Sequence, residues 1–234
     1  MLIKVINANS TESMTVVIAE SARAAAGPGV AIEAVSGTGP ASIESHYDDA
    51  LSVPGVLAAI EAGEAAGVDA YVLACFSDPG LLAARELATG PVVGIAEAAM
   101  RTAAYLGRGF SVITTRSRSA PHTQELAERY GLGHHCRGVH ATGIPVLELE
   151  SDPQAYAKVL AQSEAALAGD RSDVIVLGCA GMADLCARLQ DDLGVPVVDG
   201  VAAAVATARG LVELGLRTGK RDEFATPLSA TVPS

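Results

Sequence analysis

Two stretches of this chain carry nearly the same pattern. Asp69-Ala-Tyr-Val-Leu-Ala-Cys75-Phe-Ser-Asp-Pro-Gly and Asp173-Val-Ile-Val-Leu-Gly-Cys179-Ala-Gly-Met each pass from an aspartate through an apolar run to a cysteine, and then into small or turn-forming residues. The runs are too short to cross a membrane and too uniformly apolar for a half-exposed strand, so they read as buried parallel strands. Each cysteine then stands at the carboxyl end of its strand. In open α/β sheets that edge is where ligands bind.

The repeat extends well beyond the cysteines. Pro91-Val-Val-Gly follows Cys75 by 16 positions, and Pro196-Val-Val-Asp follows Cys179 by 17. Upstream, Leu2 to Ile6 and Gly109 to Thr114 read as opening strands, and Val30 to Val35 and Gly138 to Thr142 as second strands. Helices are expected over about 12–26, 54–66, 80–90 and 96–106, and again over about 121–130, 153–168, 180–193 and 200–216. Asn7, Asn9 and Ser10 supply capping side chains for the first of these, and Ser42 to Tyr47 falls in a long loop.

A period near 100 residues is too long for a solenoid. The expected class is therefore α/β, with two similar duplicated α/β lobes, mainly parallel sheets and an active-site cleft between them. Residues 1–98, joined by a returning C-terminal segment 200–234, form the first lobe, and residues 99–199 the second. Residues after about 219, rich in Thr, Pro and Ser, read as a loose tail.

Composition narrows the partners. The chain has 234 residues, 50% of them hydrophobic and 18% charged, enough for a proper core. A formal net charge of −11 argues against nucleic acid, which needs a concentrated positive surface. No basic leader or cleavage site precedes the first strand, and the most apolar stretch, Val201 to Leu216, carries Arg209 and Glu213. No membrane partner is expected, the four cysteines should stay reduced, and the cytoplasm is the expected address.

A lone cysteine ending an apolar run is ordinarily a small buried hydrophobe. Two at equivalent repeat positions, both at a ligand-binding edge, shift the balance toward function. With the lobes facing each other, Cys75 and Cys179 would stand on opposite walls of one cleft. An unperturbed thiol has a pKa of ~8.5, and a place at a helix N-terminus favours the thiolate. One thiolate and one thiol on opposite faces of a carbon can take a proton from one side and return one from the other. The carbon must lie beside a carbonyl, whose enolate backbone N–H groups can hold. Ser77, Ala180 and Gly181 are small enough for such an approach.

The pair resembles that of the cofactor-independent aspartate/glutamate/hydantoin racemase superfamily. Cys75-Phe-Ser-Asp-Pro-Gly-Leu and Leu177-Gly-Cys179-Ala-Gly-Met are most similar to the hydantoin racemase and allantoin racemase group. Asn7-Ala-Asn-Ser, Gly39-Pro-Ala-Ser-Ile-Glu-Ser and Val112-Ile-Thr-Thr extend the resemblance from Leu2 to about Val198. Glutamate and aspartate racemases tend to carry Asn-Thr after the first cysteine and Thr-His after the second. Phe76-Ser77 and Ala180-Gly181 stand there instead. The sequence also departs from the group, which commonly has Gly at Ser77 and Pro at Ala8.

The resemblance implies an isomerase without cofactor that inverts C5 of 5-substituted hydantoins, including allantoin. Cys75 and Cys179 would be its two acid/base residues. Ser77, Asp78, Ala180 and Gly181 would offer backbone contacts to the ring, and Asn9 and Thr114 further hydrogen bonds. A small cyclic ureide is the expected partner, with an assembly of identical copies. Alternatives are a maleate isomerase, an aspartate or glutamate racemase, or a non-catalytic two-lobe binding protein. A decarboxylase of the same fold keeps only the second cysteine, so Cys75 argues against it.

Other residues read as structural. Cys136 and Cys186 look like core positions, and His134-His135-Cys136 with His140 lacks a matching ligand pair, so no metal site is expected. His46 reads as a surface histidine, and Arg116 and Arg118 as a solvated loop. Lys4, Lys158 and Lys220 are the only lysines, and none ends a strand where a pyridoxal Schiff base would form.

Overall fold

Each half of the repeat folds as its own four-stranded parallel sheet. In a computed structural model, which describes residues 1–227, the first half runs β1 (Leu2–Asn7), α1 (Glu12–Ala26), β2 (Ala31–Ser36), α2 (His46–Ala66), β3 (Ala70–Leu73), α3 (Leu81–Leu87), β4 (Val92–Gly94) and α4 (Ile95–Leu106). The second repeats the order as β5 (Phe110–Thr114), α5 (Ala120–Arg129), β6 (Cys136–Ala141), α6 (Ala155–Asp170), β7 (Val174–Leu177), α7 (Cys186–Leu193), β8 (Val197–Val198) and α8 (Gly200–Glu213). The strand orders β2-β1-β3-β4 and β6-β5-β7-β8 are the same permutation, and all paired strands are parallel. The α/β class is as expected.

The register is fixed by the two aspartates that open the repeated motif. Asp69 accepts the Leu2 N–H at 2.7 Å, and Asp173 accepts those of Arg108 and Gly109 at 2.9 and 3.1 Å. Each carboxylate ties the start of its central strand to the segment that opens the lobe. Ile3 then pairs with Ala70 and Ile6 with Leu73, while Phe110 pairs with Val174 and Ile113 with Leu177. Every residue of β3 and β7 is buried, which explains their unbroken apolar character.

The core does not stop at the lobe boundary. One cluster takes in Ile3 and Val72 of the first sheet, Val112 and Val176 of the second, and Met100 of α4 between them. α8 completes it by packing Val201, Ala204, Val205 and Ala208 against α1 and α4. Asp199 fixes where α8 begins: its carboxylate accepts from the Val201 and Ala202 N–H groups at 2.9 and 3.2 Å, and from the Ser21 hydroxyl of α1 at 2.5 Å.

Several local expectations are corrected. α1 is preceded by Thr11, which makes no side-chain cap; the Asn9 carboxamide oxygen instead accepts the Thr11 N–H at 2.9 Å. α2 begins at His46, eight residues before Pro54, because Ser45 caps it: Ser45 Oγ accepts the Asp48 N–H at 3.2 Å and donates to the Asp48 carboxylate at 2.6 Å. Pro54 is carried inside the helix, at the cost of one N–H donor. After Cys179 the chain forms a 3₁₀ segment, Ala180–Leu185, before α7.

The tail is held further than expected. Lys220 Nζ donates to the carbonyls of Arg85 and Glu86 at the end of α3, and Thr218 Oγ1 to that of Gly90. The last seven residues of the expected tail lie outside the described residues. Among those described, no helix is long and apolar enough to cross a membrane.

Candidate active site

The carboxyl ends of the strands of both sheets converge on one cavity of about 210 Å³, lined by both motif cysteines. Cys75 reaches it from the end of β3 and Cys179 from the end of β7. Asn9, Ser77, Thr114 and Ala180, expected from sequence, also line it. Asp78 and Gly181 are not in the lining.

Gly181 nevertheless acts at the site. Its backbone N–H favours the Cys179 thiolate, as that of Ser77 favours the Cys75 thiolate. Each thiol thus has a favouring N–H two residues further on. Burial dominates all the same, pushing the Cys75 thiol up to about 11 and Cys179 up to about 12. The expectation of a thiolate favoured by a helix N-terminus is therefore corrected. α3 starts six residues beyond Cys75, and Cys179 precedes only a 3₁₀ turn, so neither thiol sits on the first turn of an α-helix.

The Asp78 side chain turns away from the cavity and braces the loop beneath Cys75. Its buried carboxylate accepts the Ala96 and Glu97 N–H groups of α4 at 3.0 and 2.9 Å, and the Tyr130 hydroxyl at the end of α5 at 2.6 Å. A Cβ on Gly94 would fall 2.2 Å from the Asp78 carboxylate carbon, so only glycine leaves room for this carboxylate. Burial still pushes the Asp78 carboxyl up to about 6 despite the three donors.

Five titratable or charged lining residues had no role at the site in the sequence reading: Glu44, His46, Asp49, Arg118 and His122. The early start of α2 places His46 and Asp49 three positions apart on one helix face, at the cavity. His46 stands edge-on to His122 of α5, ring centroids 5.1 Å apart; it is exposed, as expected, and borders the cavity. Arg118 is exposed, yet at the cavity rather than on a remote loop. Glu44 joins the halves at the rim: it accepts the Val146 N–H at 2.7 Å and pairs with Arg116 at 3.5 Å. The signal for α2 was present, since Ser45-x-x-Asp48 has the spacing of a reciprocal cap.

Asp49 reaches further. Ser77 Oγ donates to Asp49 Oδ1 at 2.5 Å and lies 3.3 Å from Cys75 Sγ. No group of three or more His, Cys, Asp or Glu among the described residues is arranged to hold a metal ion, and no lysine lines the cavity. The four cysteines are unpaired. Cys186 donates to the Val197 carbonyl at 3.2 Å, and His140 pairs with Asp170 at 2.6 Å.

Comparison with known proteins agrees with this geometry. The profile of the Asp/Glu/Hydantoin racemase family matches residues 3–208. A hydantoin racemase of Rhizobium meliloti is 52% identical over 229 residues, covering 97% of this chain and 95% of that protein. An allantoin racemase from Klebsiella pneumoniae superposes with a TM-score of 0.96 at 48% identity, covering 97% of this chain and 94% of that one. An allantoin racemase from Pseudomonas fluorescens gives 0.95 at 41% identity, with both chains covered in full. Two matched lobes, a cysteine from each at one cavity, and likeness along nearly the whole chain lead to one assignment: the chain belongs to the Asp/Glu/Hydantoin racemase family of enzymes.

Proposed function

We propose that this enzyme racemises 5-substituted hydantoins, allantoin among them, by proton transfer at C5 between Cys75 and Cys179. The observation that carries the reading is the pair of thiols brought by equivalent strands to one cavity. The named relatives act on this class of ring, which supports the choice of substrate.

C5 of a hydantoin lies beside the C4 carbonyl. One sulfur, as thiolate, takes the C5 proton, and the C–H electron pair moves into the ring as an enolate. The other sulfur, as thiol, gives its proton to the opposite face, and the pair returns to form the new C–H bond. Burial makes both sulfurs strong bases once ionised, which suits a weakly acidic C–H. Acid–base transfer supplies roughly 10²–10⁴-fold. Backbone donors at Ser77 and Ala180, with Asn9 and Thr114, are assigned to the ring carbonyls and nitrogens, where a held enolate supplies the rest. The Asp78 N–H is taken by the Cys75 carbonyl at 3.0 Å, and Gly181 lies outside the lining. The same reading includes an assembly of identical copies, which light scattering checks, and an address in the cytoplasm.

The deciding experiment is proton NMR of C5–H exchange in D₂O. Wild type should exchange and racemise both enantiomers. Cys75→Ser and Cys179→Ser should each lose racemisation and retain exchange of one enantiomer. Two variants that racemise normally would end the two-thiol reading. Iodoacetamide should abolish activity and a chelator should leave it intact; the reverse result would point to a metal.

A further inference from the structure

The two thiols have different surroundings. Among the described residues no side chain is hydrogen-bonded to the Cys179 sulfur, and the residues that follow are Ala180, Gly181 and Met182. The open side of Gly181 meets Leu149, Met14 and the Cys179 sulfur itself, at 3.3, 3.7 and 3.8 Å from where a Cβ would stand. Around Cys75 there is a hydroxyl at 3.3 Å, that of Ser77, and it is anchored at 2.5 Å by the Asp49 carboxylate of α2.

We propose that Asp49 of α2 holds the Ser77 hydroxyl against Cys75, so that Cys75 changes protonation state against a side-chain partner that Cys179 lacks. The role rests on the two-thiol reading above. Ser77 and Asp49 are positioning residues for Cys75. With Cys75 as thiol, S–H donates to Ser77 Oγ while the Ser77 O–H donates to Asp49. With Cys75 as thiolate, the hydroxyl turns and donates its proton to Sγ, leaving Asp49 to solvent in the cavity. No covalent bond changes in that turn; one hydrogen bond replaces another. When the thiolate takes the C5 proton, S–H re-forms and the hydroxyl returns to Asp49.

The arrangement gives the two residues opposite effects on Cys75. The Ser77 hydroxyl favours the thiolate by donating to it, whereas the Asp49 charge disfavours it. The other titratable and charged groups at this cavity are His46 and Glu44 from α2 and the loop before it, Cys179 across the space, and Arg118 and His122 from the segment around α5. Asp78 acts on Cys75 from below. All of these stay in place when Ser77 or Asp49 is changed.

The test is the rate of iodoacetamide alkylation at pH 8.5, read separately at Cys75 and Cys179 by peptide mass spectrometry on the full chain. Alkylation follows the thiolate fraction. Ser77→Ala should slow Cys75 about tenfold, the loss of one hydrogen bond to a charged group. Asp49→Asn, which keeps an acceptor for Ser77 but removes the charge, should speed Cys75 about threefold. Cys179 should change less than twofold in both, and Ser77→Thr should restore the wild-type rate at Cys75.

The same variants are then read by C5–H exchange. Ser77→Ala should slow exchange about tenfold in the Cys179→Ser background and hardly at all in the Cys75→Ser background. Unchanged alkylation of Cys75 in both variants, or equal changes at the two cysteines, overturns the proposal. Absence of exchange in wild type would instead remove the racemase reading, and the alkylation rates would still decide the coupling of Asp49, Ser77 and Cys75.

Discussion

The Cys75 half and the Cys179 half share strand order, register and an opening aspartate, yet they hold their cysteines by different physics. Beneath Cys75 the loop is braced by two carboxylates, Asp49 through Ser77 and Asp78 through α4 and Tyr130. Beneath Cys179 the brace is close contact. Gly178 lets β7 run so near β5 that an added Cβ would stand 2.9 Å from Val112 and 3.0 Å from the Ile113 carbonyl. Met182 is fully buried behind it. A duplicated scaffold can thus keep two functional atoms in matching places while one anchor responds to pH and the other does not.

The strongest way to break the comparison is to remove each sulfur. Cys75→Ser and Cys179→Ser should each lower racemisation by about 10²–10⁴-fold, measured by polarimetry, and a large inequality between them would show that one half carries the chemistry alone. The next test uses pH. With the thiols held near 11 and 12, the thiolate fraction rises tenfold per unit below those values. The rate at limiting substrate should therefore climb about a hundredfold from pH 7 to pH 9, and a plateau near pH 7 would contradict the burial argument.

Stability should separate the two anchors. Asp78 has its pKa raised from 3.8 to about 6, so the folded state holds its proton more tightly than the unfolded state. Its contribution is greatest below about pH 4 and falls as pH rises through 6. Asp78→Ala should therefore cost more at pH 4 than at pH 7.5, by about 2–3 kcal/mol in urea unfolding. Gly178→Ala should cost about 1–3 kcal/mol from overpacking, by the same amount at both pH values. The smallest effect is expected at the rim. Glu44→Ala removes a contact that joins the halves but touches neither sulfur, and should raise KM about threefold with little change in kcat.

The sheets were legible in the sequence because their determinants are local. The apolar runs, the repeated aspartates and the Pro-Val-Val strands carry the register within a few residues. The cavity was legible on its floor, where Cys75, Ser77, Thr114, Cys179 and Ala180 follow strand ends directly. Its walls were not. Pro54 masks the start of α2, so His46 and Asp49 read as loop, and their meeting with His122 and Ser77 depends on helices far apart in the chain. Asp78 showed the opposite failure. It lies beside the site in sequence, but its side chain is committed to α4 and Tyr130, a demand that only the packed fold makes.

The placing of α8 bears on how the molecule is made. α1, α4 and β3 emerge early in synthesis, yet the apolar side chains that cover them, Val201, Ala204, Val205 and Ala208, come only after the whole second half has been translated. A nascent chain halted near residue 199 would present that uncovered surface to solvent and to other chains. The first half to be synthesised is thus the last to be closed, and the interval between is where a chaperone would have most to do.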